Sequence, residues 1–188
     1  MIGYSELKRG AKIIIDEEPY EITETSSMFK GRGHSVLQAK IKNLKTGEIL
    51  SKTFHPSDSF EEAEIEKKEL RFIYSHRGNY VFSVEGSPSK RISFTERQLG
   101  SAKDFLKEGE KVQGLVFEDE IISIQLPIKI QLKVKQAPPG IKGNTAEGGT
   151  KNVMLETGTE ISVPLFIEEG DIVEVNTEKK EYVRRIKK

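Results

Sequence analysis

Arg32 stands between Gly31 and Gly33, with Lys30 and His34 on either side of them. These residue types suit contact with phosphate. A guanidinium is always charged and presents a planar fork of donors that matches phosphate oxygens. Glycine on both sides accepts positive φ without a Cβ clash, so the backbone can turn tightly and carry the cation outward. A second set, Gly143, Asn144, Thr145, Gly148, Gly149 and Lys151, would offer backbone amides, polar side chains and a cation to a polyanion. Tyr182 and Arg185 form a third set near the end. Each has a plainer reading. Gly-x-Gly is most often only a turn, the second set also fits a flexible barrel loop, and Tyr182 could close a barrel with its ring. Other chemistry lacks its parts. His34, His55 and His76 are scattered with no metal-ligand spacing, there is no cysteine, and no nucleophile elbow occurs. No catalytic residue, metal site or cofactor is therefore expected.

The elements that must hold these residues are strands. Ala11–Ile15 and Glu17–Ile22 predict a hairpin turning at Asp16, and Ser35–Asn43 and Ile49–Phe54 two further strands joined through Lys45–Glu48. About five short strands in this first third, after a helical turn near Tyr4–Arg9, imply a small SH3-like, KOW-like barrel. The polar, acidic run Ser57–Glu64 predicts a junction. Strands follow at Glu66–Ser75, Tyr80–Glu85 and Arg91–Phe94, then a helix over Thr95–Leu106 capped by Ser93 with Glu96 and prone to break at Gly100. Lys111–Phe117 and Ile121–Leu126 pair around Glu118–Glu120, and Pro127 marks another boundary. Ile128–Val134 alternates strictly, and strands at Asn152–Leu155, Glu160–Phe166, Ile172–Asn176 and Tyr182–Ile186 complete the chain. The faint similarity of 111–126 to 160–176 suggests two related barrels of the OB type. The expectation is an all-β chain of three domains: 1–63, with a hairpin tip at 30–34, then 64–127 and 128–188.

Composition agrees with small cores. Of 188 residues 35% are hydrophobic and none is Trp, which is thin for one large core. No apolar run approaches the ~20 residues that span a bilayer, and the N-terminus lacks signal-peptide regions, so a cytoplasmic protein with no membrane partner is expected. Net charge is zero, yet its distribution is uneven. Between Glu24 and Glu48 only cations occur (Lys30, Arg32, Lys40, Lys42 and Lys45), as between Glu120 and Glu147 (Lys129, Lys133, Lys135 and Lys142). Arg184, Arg185, Lys187 and Lys188 follow Glu181. Three basic windows on a neutral chain suggest one face for phosphate and another left acidic.

Pro139-Gly140-Ile141-Lys142-Gly143-Asn144-Thr145-Ala146, followed by Gly148-Gly149-Thr150-Lys151, resembles the signature loop of bacterial elongation factor P. Val163-Pro164-Leu165-Phe166-Ile167, Gly170-Asp171 and the ending Glu181-Tyr182-Val183-Arg184-Arg185 resemble the same family. So do Gly10-Ala11-Lys12-Ile13, Glu18-Pro19-Tyr20, Lys42-Asn43-Leu44-Lys45-Thr46-Gly47 and Lys52-Thr53-Phe54, in order along nearly the whole chain.

The resemblance implies an SH3-like barrel and two OB-fold barrels in an L shape. It implies a monomeric, non-catalytic factor whose partners are both ribosomal subunits, the peptidyl-tRNA and messenger RNA at the exit site. Such factors relieve stalling at consecutive prolines, with the first-domain tip reaching the acceptor end of the tRNA. The family tip usually reads Pro-Gly-Lys-Gly. Here it reads Lys30-Gly31-Arg32-Gly33, so Arg32 takes the lysine position and Lys30 departs from the pattern. An arginine-tip subset is rhamnosylated by a dedicated glycosyltransferase, which makes Arg32 the implied modification site. Tyr182 and Arg185 fall in the family's terminal tRNA-contact motif, and the Gly143–Lys151 loop in its RNA-binding loop. An elongation factor P-like paralogue and a general RNA-binding barrel protein remain the alternatives.

Overall fold

The structure, a computed structural model, describes residues 1–30, 34–139 and 149–186, with Phe29, Lys30 and His34 described by backbone alone. Its chain is all-β, arranged in three sheets. Contacts divide it into two compact units, Met1–Gly100 with Lys111–Ile124, and Ser101–Glu110 with Gln125–Lys188.

The first sheet contains β1 (Ile2–Gly3), β2 (Lys12–Ile15), β3 (Glu18–Lys30), β4 (His34–Asn43), β5 (Ile49–Phe54) and β6 (Ser59–Glu62), in the order β1-β6-β2-β3-β4-β5. Alternation in Lys12–Ile15 buries Ile13 and Ile15, and Asp16 and Glu17 turn the chain with φ of 51° and 64°. Positive φ at both central residues matches the twist of the flanking strands. Ile13, Ile22, Ile41 and Phe54 are fully buried at the centre of this barrel. The run expected as a solvated junction differs. Ser59–Glu62 forms β6, which pairs with both β1 and β2. Its anchor is Phe60, whose ring meets Phe54 edge-on at 5.1 Å. The acids around Phe60 remain outside and disguise the strand as a linker.

The second sheet contains β7 (Glu66–His76), β8 (Asn79–Val84), β9 (Ser87–Thr95), β10 (Lys111–Phe117) and β11 (Glu120–Gln125), in the order β11-β10-β7-β8-β9. Phe72, Phe82 and Phe94 stack through its core, with centroids 5.2 and 5.7 Å apart. The helix is shorter than expected. Its α-helical part, α1, covers Glu96–Leu99, and a 3-10 turn continues to Phe105. Gly100 takes a φ of 57° and ends the α ladder there. The cap is Thr95 with Gln98 rather than Ser93 with Glu96. Ser93 stays in β9 opposite Val81, which leaves its side chain two residues too early.

The turn after β4 locks these two sheets together. The Asn43 carboxamide oxygen accepts from the Lys45 and Thr46 amides, and Gly47 takes a φ of 76°. A Cβ on Gly47 would overlap the Arg97 carbonyl and stand 3.0 Å from Gln98 Cα, so this turn lies directly on α1. Gln98 Nε2 donates to the Lys45 carbonyl at 3.0 Å, and Arg97 pairs with Glu48 at 3.4 Å. Below them Leu44, Ala63, Leu115, Phe117 and Ile122 form a shared apolar cluster.

In the other unit, β12 (Lys129–Gln136), β13 (Thr150–Leu155), β14 (Glu160–Pro164), β15 (Ile172–Asn176) and β16 (Glu181–Ile186) run in the order β14-β13-β12-β15-β16. The expected alternation holds from Lys129 to Val134, with Leu132 and Val134 buried and Lys129, Gln131 and Lys133 outside, whereas Ile128 precedes the strand and is exposed. Phe105, Val153, Leu155, Val163, Ile167, Val173 and Val175 fill the rest of this core.

Candidate nucleic-acid interface

Strands β3 and β4 build a ribbon longer than the barrel needs. They pair from Tyr20↔Asn43 to Lys30↔His34, with a bulge between Ile22 and Glu24. Bulges bend a strand and sharpen its twist. Before this one Ile22 is fully buried, and after it every residue from Glu24 to Met28 is exposed. The pairing of β4 with β5 also stops at Leu37↔Phe54. Met28↔Val36, Phe29↔Ser35 and Lys30↔His34 therefore extend beyond the third strand. Tyr4 reaches this extended part, its hydroxyl donating to the Ser35 carbonyl at 3.3 Å. Gly31, Arg32 and Gly33 lie outside the described residues, as do the side chains of Lys30 and His34.

The first basic window does not form a bare cationic face. Antiparallel register sets Glu24 opposite Lys40 and Glu21 opposite Lys42. Lys40 Nζ lies 2.9 Å from Glu24, and Lys45 Nζ 3.4 Å from Glu18 and 5.6 Å from the centre of the Phe117 ring. Burial lowers the pKa of Lys42, partly opposed by the Glu21 charge. Three lysines from a stretch without acids are thus matched by acids from the preceding strand. The sequence window could not reveal this, because the pairing depends on register.

In the third sheet the residues on either side of 140–148 are held in place. Lys151 Nζ donates to the Pro138 carbonyl at 2.8 Å, which ties the segment after β12 to β13. Gly149 accepts from the Leu165 amide at 3.2 Å, and a Cβ there would press on Leu165 Cδ1 at 3.1 Å. Gly143, Asn144, Thr145 and Gly148 lie outside the described residues. Tyr182 sits opposite Val175 and packs half-buried against the core, so its ring closes the barrel.

Arg185 is half-exposed and oriented from two sides. Its guanidinium carbon stands 5.2 Å from the centre of the exposed Phe166 ring, and Nη1 lies 3.5 Å from Asp171. Asp171 is itself fixed by the Glu168 amide at 2.9 Å. Phe166 and Asp171 were not singled out by sequence, although both lie in the quoted motifs. An exposed aromatic beside an arginine is the signal that pointed to them. On β15, the nearly buried Glu174 receives Arg184 at 3.2 Å and Lys129 at 3.9 Å. Among the described residues no group of three or more His, Asp or Glu side chains could hold a metal ion, and no helix is long and apolar enough to cross a membrane.

Three family models match in succession. The elongation factor P KOW-like domain matches residues 4–60, the elongation factor P OB domain 65–124, and the elongation factor P C-terminal domain 130–185. Elongation factor P of Moorella thermoacetica is 37% identical over 98% of this chain and 100% of its own length. Elongation factor P of Helicobacter hepaticus is 37% identical over 99% of each chain. Among solved structures, eukaryotic translation initiation factor 5A from Methanococcus jannaschii covers 66% of this chain and 92% of its own, at 13% identity and a TM-score of 0.46. These two relatives match through nearly the full length at 37% identity, and the chain belongs to the elongation factor P family of translation factors.

Proposed function

We propose that this protein binds the ribosome beside the peptidyl-tRNA and stimulates peptide-bond formation at consecutive-proline stalls by positioning that tRNA. The β3–β4 ribbon carries this reading. It leaves its barrel at a bulge, is exposed beyond it, and bears the glycine-flanked Arg32 between its last paired residues. Proline attacks slowly because its ring constrains the approach. Ordering the peptidyl-tRNA lowers the barrier through entropy, with no group donated to the chemistry. Relief of ~1.4 kcal/mol is already tenfold in rate.

In this reading Arg32 contacts phosphate or sugar near the acceptor end, with Lys30 and His34 flanking it. Gly143, Asn144, Thr145, Gly148 and Gly149 approach RNA near the exit site, and Lys151 ties the segment after β12 to β13. Arg185, set by Phe166 and Asp171, meets the tRNA, while Tyr182 keeps β16 in place. Arg32 carries a deoxyhexose supplied by a partner glycosyltransferase, and the protein works in the cytoplasm.

The test is a reconstituted translation system with a Pro-Pro-Pro reporter. Adding natively expressed protein should raise the yield of full-length product. Equal yields with and without it would reject the proposal. Intact-mass measurement of the same sample accounts for the modification, which adds about 146 Da localised to Arg32.

A further inference from the structure

A cleft on the second sheet is not used by the positioning mechanism. Arg71 on β7, Ser83 on β8 and Arg91 on β9 stand directly opposite one another in three consecutive strands. Opposed residues in adjacent strands share a face, and strands lie ~4.8 Å apart, so two arginine positions flank one serine. Phe72 and Phe82 occupy the other face with the core, which leaves this row pointing outward. A cavity of about 360 Å³ lies over the row, walled by Glu85, Gly86 and Pro88.

Three features give the cavity a chemical preference. Ser83 is only 8% exposed, yet it lines the cleft, and its hydroxyl has no protein partner among the described residues. The hydroxyl keeps contact with solvent in the cleft, where it can donate to a bound molecule. Arg91 is exposed and forms no ion pair among the described residues. Arg71 reaches Glu85 at 3.6 Å, a loose, half-exposed contact. Glu85 is also held by Lys111 at 3.3 Å, and would remain compensated if Arg71 turned into the cleft. Arg71 has a further contact besides Glu85, and its five N–H donors leave capacity for an oxyanion beside them.

We propose that this cleft is an oxyanion site that takes a phosphate group between Arg71 and Arg91, with the Ser83 hydroxyl donating to it from the floor. A tetrahedral phosphate can accept from two separate guanidinium forks and a hydroxyl together. A planar carboxylate is satisfied by one fork. The cleft shares no residue with those assigned to tRNA positioning, so its failure would not touch that mechanism, nor the reverse.

The test uses full-length ¹⁵N-labelled protein. It is titrated at constant ionic strength with inorganic phosphate and, separately, with a short single-stranded RNA. The Arg71 and Arg91 Nε–Hε and Ser83 amide resonances should shift saturably. Arg91→Gln should weaken the affinity about tenfold with the rest of the spectrum unchanged, and Ser83→Ala about threefold to tenfold, as expected for lost hydrogen bonds to a charged group. RNA binding tighter than phosphate at these three residues identifies a nucleic-acid backbone as the ligand. Binding no tighter identifies a free phosphate. Shifts confined to lysines elsewhere, or an affinity indifferent to Arg91→Gln, would overturn the proposal.

Discussion

Glu156 shows how one side chain can fasten an irregular segment. Burial raises its carboxyl pKa, but hydrogen bonds from Lys107 Nζ at 2.8 Å and the Lys133 amide at 3.0 Å outweigh that, and the net shift is downward from 4.5. A carboxylate with a depressed folded pKa stabilises the folded state above its unfolded value and loses that contribution as pH falls through the folded one. Below about pH 4.5, stability of the third-sheet unit should therefore decline partly through this group. Glu156→Gln is expected to lower stability at pH 7 by about 1 kcal/mol and to flatten the acid limb of a denaturation series. An unchanged acid limb would show that Lys107 and Lys133 do not hold the carboxylate in solution. Residue types alone raised Arg32 and its flanking glycines as candidates, because turn chemistry and charge are local properties, while Arg185 came from the resemblance. They did not reveal that Lys40 and Lys45 are already paired, since their acids lie far back along the chain.

Elements were legible where periodicity was strong and obscure where one residue decided the matter. The strict alternation of β12 and the turn at Asp16 were readable directly. Strand β6 was not, because one aromatic, Phe60, outweighs its acidic neighbours only after Phe54 stands opposite. Docking of the turn after β4 onto α1 was equally invisible, since Gly47 reads as an ordinary turn glycine until Arg97 lies against it. That contact makes a sharp prediction. Gly10 also has positive φ, at 88°, but nothing lies within 4 Å of the position of its Cβ. Gly10→Ala should cost about 1–2 kcal/mol from backbone strain alone. Gly47→Ala should cost more, about 3–4 kcal/mol, since α1 must also move away. Equal costs in chemical denaturation would mean that turn and helix are not in contact.

For the molecule as a whole, the described residues form three small all-β cores, and the first two are joined by an apolar cluster and a docked turn. The all-β class with KOW-like and OB barrels was legible, because strand signals and small-core composition agree throughout. Charge segregation was the weakest guide, as strand pairing returned acids to the side of the cations. What remains is a few placed cations rather than a basic face, and in the proposed reading Arg32 should therefore matter more than net charge. The most direct measurement is the rate of Pro–Pro bond formation on stalled ribosomes with wild-type protein and with Arg32→Ala, each at saturating concentration. Loss of about tenfold or more in rate, with binding to ribosomes retained and the thermal transition unchanged, is the predicted result. A variant that accelerates the bond as well as wild type would contradict the placement of this cation at the tRNA end.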